Sequence, residues 1–572
     1  MSLTGKPTTP YDHFNRRIQD MLTERSSWDA HYKDLIANFN PRKGKFYESD
    51  TNKGNKRNQL NNNTPLFARR TLRSGLMTGI TSPARPWFRL APPDSAMNEF
   101  GPVREWLDQV ERMMYRVFSS SNLYKALPNI YDELGVIGTG ALLDEDDFED
   151  VSNFTPFTAG EYVIDQNGRL RVDTFGREYQ MTVYQLVEEF GLDSVSTHVK
   201  KLWDTGSYTA WIRLRHIVEP VAVREFDEPE LRLDAQFRWR SVTYEVGEEE
   251  MRRKILRVKG YRDFPIYAPR WDVRAGDIYG YSAGMDALGD ARALQVQERE
   301  KGKAIAKMVS PPTTAPTSLK NTNVSLLPGA NNFTDDPNNV FRPIYQVSPQ
   351  VQHLMQDIQA TEERINRAFY VDLFLMISQQ DDVRTATEIA ARQEEKLLQL
   401  GPVLESLHDE LLDPLIDRTF AKLMRLSERG WRGDGPELLP EPPEEIAGQE
   451  IKVDYISVLA QAQRMVSTGA MERWVGFTGM VAQMKPEVLD KIDGDNVVEI
   501  MAEDLGVPAK AVRSDEEVAQ QREAQAQQAQ AQQNMMAMQG MVQAAQGLSD
   551  VDTTGGNALT DIVGIGGGGG PA

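Results

Sequence analysis

One stripe of leucines constrains this chain more than any other feature. From near Thr385 onward, Ile389, Leu397, Leu400, Leu404, Leu407, Leu411 and Leu415 recur at steps of three, four or eight. That spacing puts them on a single face of an α-helix. The helix so defined is roughly forty residues, or about 60 Å at 1.5 Å per residue. Gly401-Pro402 and Pro414 interrupt it. Each proline removes a backbone donor and crowds the preceding turn, so kinks are expected there. Few globular enzymes need so long an apolar face. Ring walls and helical bundles do.

The stripe follows a break. In "LFLMISQQDDVRTATEIAARQEEKL", Leu373 to Leu397, an apolar helical run gives way to polar "SQQDDVRT" and then resumes as helix. Thr385 or Thr387 can cap the new helix with Glu388 close behind. The same residues can also form a wet loop that touches something. The residues alone leave both readings open.

Bulk properties narrow the class. At 572 residues the chain exceeds a single core and predicts about three or four domains. A hydrophobic content of 40% with 26% charged residues is that of a soluble globular protein. No apolar run is long enough to cross a bilayer, and "MSLTGKPTTPYDHF" lacks the apolar core of a signal peptide. With no cysteine, disulfides, thiolate metal sites and cysteine nucleophiles are excluded. The formal charge of −20 argues against a surface gripping nucleic acid over a wide area. It does not argue against a protein that DNA moves past.

The layout is α+β and mainly helical. Residues 11–40 read as a helix with Ile18, Met21, Leu22, Trp28, Tyr32, Leu35 and Ile36 inward. Helices are also expected at 65–80, 103–118 and 122–134, with "SPARPWFRLAP" as an extended segment bounded by prolines. From 150 to 275 short strands dominate, with a hairpin signal at Asn167-Gly168 and a helical insert near 182–203. Helices follow at 282–308 and 349–370, separated by a Pro, Asn, Thr and Ser-rich stretch. After "PELLPEPPEEIAGQE" a small helical domain is expected from Val453 to Lys510. An Ala/Gln-rich and finally Gly-rich tail closes the chain.

A search for chemistry finds no catalytic set, cofactor motif or metal-ligand spacing. The six histidines are scattered. "GVIGTGALLDEDD" departs from the dinucleotide fingerprint, and small residues packing a helix on a strand explain Gly135, Gly138 and Gly140 better. The run Asp144 to Asp150 lacks calcium-loop spacing and reads as a solvated acidic loop. Arg85, Trp87, Phe88 and Arg89 have a base-stacking composition, but a strand with inward aromatics fits equally simple physics. The loop Arg42 to Arg57 carries six positive residues and reads as solvated, or as touching phosphates or an acidic partner.

Four segments carry a resemblance. "RSSWDAHYKDLIANFNPRKGKF", "LRSGLMTGITSPARPWFRL", "IYGYSAGMDALGDARALQ" and "RTATEIAARQEE" resemble, in order, motifs of the head-to-tail connector, or portal, proteins of short-tailed bacteriophages. The resemblance runs from about residue 15 to 430. It implies a portal-type ring subunit, typically dodecameric, with wing, stem, clip and crown regions. On this chain the implied wing is 1–277, the first stem helix 278–310, the clip 311–348 and the second stem helix 349–371. A tunnel loop at 372–386 then leads into a long kinked wing helix at 387–430, a helical crown at 450–515 and a low-complexity tail at 516–572.

The polar break acquires a role from this resemblance. Gln379, Gln380, Asp381 and Asp382 would line a DNA channel with weak hydrogen bonds and like-charge repulsion, and Arg384 would be the nearby cation. Clustered cations there would instead grip successive phosphates. On the first stem helix Lys301, Lys303 and Lys307 would form a positive band, unless they pair with Glu298 and Glu300. The implied partners are further copies of the chain, the large terminase subunit as ATPase motor, tail adaptors, capsid and scaffolding proteins, and double-stranded DNA, with no membrane. The implied place is a capsid vertex of the virion, after assembly in the bacterial cytoplasm. Two other readings stay open: another internal virion or scaffold protein without a channel, and a metal-dependent hydrolase using Asp144 to Asp150.

Overall fold

A hydroxyl and a proline start the first helix. Thr9 Oγ1 accepts the Asp12 N–H at 3.2 Å, and Pro10 occupies the first turn, where its missing donor does no harm. Helix α1 (Pro10–Phe39) buries Phe14, Ile18, Met21, Tyr32, Leu35 and Phe39, close to the expected stripe. The structure, a computed structural model, describes residues 9–46, 59–92, 100–147, 149–221, 231, 233–247, 249–274, 276–321, 325, 330–333, 338, 340–344, 351–378, 400–431, 439–449, 451–460 and 474–481, with scattered positions up to 530. Two units divide the chain at Met484 and Lys485. In the second, the described positions are few and mostly helical.

Helix α2 (Thr64–Gly79), strand β1 (Phe88–Ala91), α3 (Gly101–Ser120) and α4 (Leu123–Ile137) follow as the periodicity predicts. Gly138 ends α4 at φ +86°, in the left-handed region that glycine adopts freely, and its N–H reaches Glu133 O and Leu134 O. A Cβ here would also strike the Gly280 carbonyl. The glycine-rich stretch is thus a helix cap at a close backbone crossing.

Strands β2 (Ala141–Asp147) and β3 (Val151–Phe157) pair with the later β9 (Ile266–Tyr267) in the order β3-β2-β9. The expected acidic loop at 144–150 is corrected here. Asp144 to Asp147 belong to β2, with Asp144 wholly buried and only the far end exposed. Strands β4 (Tyr162–Gln166) and β5 (Val172–Thr182) form the hairpin expected at Asn167-Gly168. Its turn spans 167–171, with Leu170 at φ +61° and Asn167 Oδ1 accepting the N–H of Arg169 and Arg171. The helical insert is two helices, α5 (Val183–Phe190), closed by a Thr182/Gln185 capping box, and α6 (Thr197–Asp204), capped by Ser196. Strands β6 (Trp211–Pro220), β7 (Trp239–Glu245) and β8 (Lys254–Tyr261) complete an antiparallel sheet ordered β4-β5-β6-β7-β8. One face of it buries Ile217, Val242 and Tyr244 against Phe14 and Ile18 of α1.

Helix α7 (Ala283–Val309), the strand pair β10 (Thr313–Thr314) and β11 (Arg342–Pro343), and α8 (Val351–Ala368) come next. Within the stretch 372–386 expected as loop, residues up to 378 are helical: α9 (Val371–Ser378) buries Leu373 and Phe374. The apolar run ahead of the polar break explains this. Helix α10 covers 400–431 and contains a π turn at His408–Leu412 before its final segment Asp413–Trp431. The expected disturbance at Pro414 takes this form. The Asp413 N–H bonds His408 O, five residues back, next to a residue with no donor to offer. Residues Ile389 and Leu397 of the stripe lie outside the described residues, whereas Leu400, Leu404, Leu407, Leu411 and Leu415 are buried.

A further correction concerns Val453, expected to open a helical domain. It belongs to β12 (Lys452–Tyr455), antiparallel to β1 with Phe88 opposite Tyr455 and Leu90 opposite Val453. The alternation in "IKVDYI" is a strand period. The principal core gathers α1 to α4 and α7 to α10, with the strands laid against it.

Candidate functional site

The described parts of the expected channel machinery are a two-helix arm and its root. Ser282 Oγ accepts the Met285 N–H at 3.1 Å and donates to Val136 O at 2.7 Å, which fixes where α7 begins. Up to Leu294 the helix buries Ala287, Leu288 and Ala291; beyond that point it and the start of α8 are largely exposed. At 27 residues α7 is about 40 Å long, so just over half of it projects from the core. Arg364 holds Asp290 at 2.9 Å between the two helices. Asn62 reaches Glu298 at 3.1 Å and Glu362 at 2.8 Å, binding the arm's base to the segment before α2. Val296, Ile305, Met308, Val309 and Met355 are exposed apolar side chains on this arm, and Phe333 and Ile344 extend the series beyond its helices. These side chains leave the arm with apolar surface that the described residues of this chain do not cover.

The lysines of the arm are partly occupied. Lys301 lies 2.6 Å from Glu298 and Lys303 2.8 Å from Glu300, each one helical turn away. Lys307 sits in the last turn of α7, where a cation favours the helix dipole. Two of the three lysines therefore have an intrahelical acid partner.

Beyond α8, Tyr370 takes φ +53° and redirects the chain into α9. Phe374 lies so close over Gly75 of α2 that any Cβ there would enter its ring. This packing roots the lead into the polar break. Gln379, Gln380, Asp381, Asp382 and Arg384 themselves lie outside the described residues.

Helix α10 is held to the sheets by buried charge. Asp144 receives Arg418 Nε at 3.0 Å, Lys422 Nζ at 2.7 Å and the Tyr267 hydroxyl at 2.8 Å. Lys422 also donates to Ser152 at 2.8 Å. Asp146, at the exposed end of β2, approaches Lys422 at 2.9 Å. Burial works to raise the Asp146 pKa, but Lys422 and Arg418 outweigh it and hold it below the usual carboxylate range. Two turns before Arg418, Glu410 accepts the Arg270 N–H at 2.8 Å and pairs with its guanidinium. Arg69 and Asp132 form a third buried pair at 2.7 Å, joined by Lys43 at 3.0 Å. Sequence reading missed Arg418 and Lys422; their spacing of four on a helix with a leucine face was the available signal.

Other candidates are absorbed by the fold. Trp87 and Phe88 are buried, and Tyr115 OH accepts both their N–H groups while donating to Phe88 O. The inward-aromatic reading is right, and Arg85 is left exposed. In the basic loop, Lys43 and Lys45 find acids of this same chain, Asp132 and Glu161; residues 47–58 lie outside the described residues. The Asp144 carboxylate is buried and already accepts from two cations and a tyrosine.

Comparison with known proteins gives a consistent picture. The family model for "Bacteriophage head to tail connecting protein" matches residues 12–512. The chain is 42% identical over 560 residues to the portal protein of Salmonella phage epsilon15, covering 97% of this chain and 98% of that one. It is 42% identical over 550 residues to the probable portal protein of Bordetella phage BPP-1, covering 96% of each. A chain from the virion of a native gene transfer agent particle aligns over 78% of this chain and 91% of its own. At 10% identity and a TM-score of 0.34 that likeness is too loose to carry weight.

Proposed function

This chain belongs to the bacteriophage head to tail connecting protein family, and from that membership we propose that it works as a portal: a ring at a capsid vertex through which DNA enters and leaves the head. The end-to-end match to two portal proteins carries the reading. The exposed apolar arm formed by α7 and α8 supports it, because a free monomer has no use for such a surface. The ring is dodecameric and is assembled in the host cytoplasm from further copies of the chain, with capsid and scaffolding proteins around it. The segment 311–348 at the arm's tip docks the terminase, whose ATPase supplies the packaging energy, and later the tail adaptors.

In this reading residues 379–384 face the bore. Gln379, Gln380, Asp381 and Asp382 keep contact with passing phosphates weak, and Arg384 is the isolated cation. Because Glu298 and Glu300 already offset Lys301 and Lys303, the stem band acts as a weakly positive collar centred on Lys307 rather than as a clamp. Electron-microscopy class averages of the purified protein test the proposal. Rings with an axial hole are expected; monomers or closed bundles without a bore would overturn it.

A further inference from the structure

A hollow of about 560 Å³ lies on the five-stranded sheet, on the face turned away from α1 and walled by α5 and by Glu145 of β2. Its floor is set by strand register. Arg177 stands opposite His216, His216 opposite Thr243, and Thr243 opposite Arg257; in the next row Ser241 stands opposite Lys259. Directly opposed residues of an antiparallel sheet share a face. Three cations and an imidazole are thereby gathered across four neighbouring strands.

Three acids line the hollow with them, Glu145 of β2 and Glu188 and Glu189 of α5, and two of these are engaged in ion pairs. Glu189 of α5 holds Arg257 at 3.0 Å, and Glu145 holds Lys259 at 3.4 Å. Arg177 has no ion pair or hydrogen bond among the described residues. Its guanidinium lies over the rings of Tyr179 at 4.3 Å and Phe157 at 5.0 Å, and its Nε is buried without an acceptor. His216 is 5% exposed; Nε2 lies 2.8 Å from Ser241 Oγ, while Nδ1 is buried and unpartnered. Among the described residues lining the hollow, Arg177 is the one of the three cations without an acid partner, and a bound oxyanion would supply the acceptor it lacks. Burial first, then Arg177, Arg257 and Lys259, hold the His216 pKa well below its ordinary value. The ring is therefore neutral.

We propose that this hollow binds a small oxyanion, a phosphate or a carboxylate, with Arg177 as its main ligand. Full-length protein titrated with sodium phosphate, and separately with sodium acetate, at constant ionic strength in chloride should show saturable thermal stabilisation. The anion that produces it identifies the oxyanion class. Arg177→Met, which keeps an apolar stem on the aromatic faces, should weaken the response about tenfold or more. Glu189→Gln, which frees Arg257, should strengthen it. Absence of saturation with both anions overturns the proposal, as does an undiminished response in Arg177→Met. Should Arg177→Met not fold, an unchanged response in Glu189→Gln is equally fatal.

Discussion

Replacing Asp144 by alanine is the sharpest test of how α10 is anchored. The carboxylate accepts from Arg418 Nε, Lys422 Nζ and the Tyr267 hydroxyl, all three partners being buried. Removing it leaves two cations out of water. Breaking a buried ion pair from one side destabilises by about 3–5 kcal/mol, because the surviving charge keeps its desolvation penalty. Asp146 stays within 2.9 Å of Lys422, but its side chain is 65% exposed and solvent screens it, so it offsets only part. The expected loss for Asp144→Ala is therefore about 3 kcal/mol, the lower end of that range. Lys422→Met is the control. It keeps the aliphatic stem and leaves Asp144 with Arg418 and Tyr267, so about 1–2 kcal/mol is expected. Urea unfolding of the purified chain at pH 7.5, followed by tryptophan fluorescence, reads the difference. An Asp144→Ala midpoint equal to or above that of Lys422→Met would refute the account.

Other expectations follow from the same structure. Burial raises the Glu111 pKa to about 7 against the lowering by Arg89, so the folded protein holds a proton that the unfolded chain loses near pH 4.5. Stability therefore falls as pH rises from about 4.5 to 7, and Glu111→Gln should flatten that slope in pH-dependent melts. Gly75→Ala should destabilise by about 1–3 kcal/mol through overlap with Phe374, and Phe374→Leu in the same chain should recover part of the loss. Asp381→Lys with Asp382→Lys should leave ring formation intact while slowing DNA packaging; normal packaging would remove 379–384 from the bore. Deleting residues beyond 563 should leave the particle unchanged by electron microscopy, and loss of assembly would give that tail a structural part.

Helices were the legible part of the fold. The stripes of α1, α3 and α10 carry a period that local physics enforces, and Ser282, Thr9 and Ser196 mark helix starts by capping chemistry. Strand β12 was misjudged because four residues after a Pro/Glu-rich stretch say little about a partner more than 350 positions away. Asp144 was misread for a related reason: a run of acids looks solvated until the cations that neutralise it, 274 and 278 residues on, are brought beside it. Residues 379–384 lie outside the described residues, and the channel-lining role proposed for them comes from kinship rather than from spacing.

The π turn in α10 fixes an azimuth. Arg418 and Lys422 reach Asp144 of β2 and Glu410 reaches Arg270 just after β9, yet residues four apart in an ideal α-helix drift by about 40° per step around the axis. A wide turn at His408–Leu412 takes up part of that drift just before Pro414. Winding the same residues as regular α-helix, without the extra residue that the wide turn absorbs, would swing everything upstream through about 100°. The proline thus acts as a phase marker that keeps the preceding half of α10 aimed where the fold needs it.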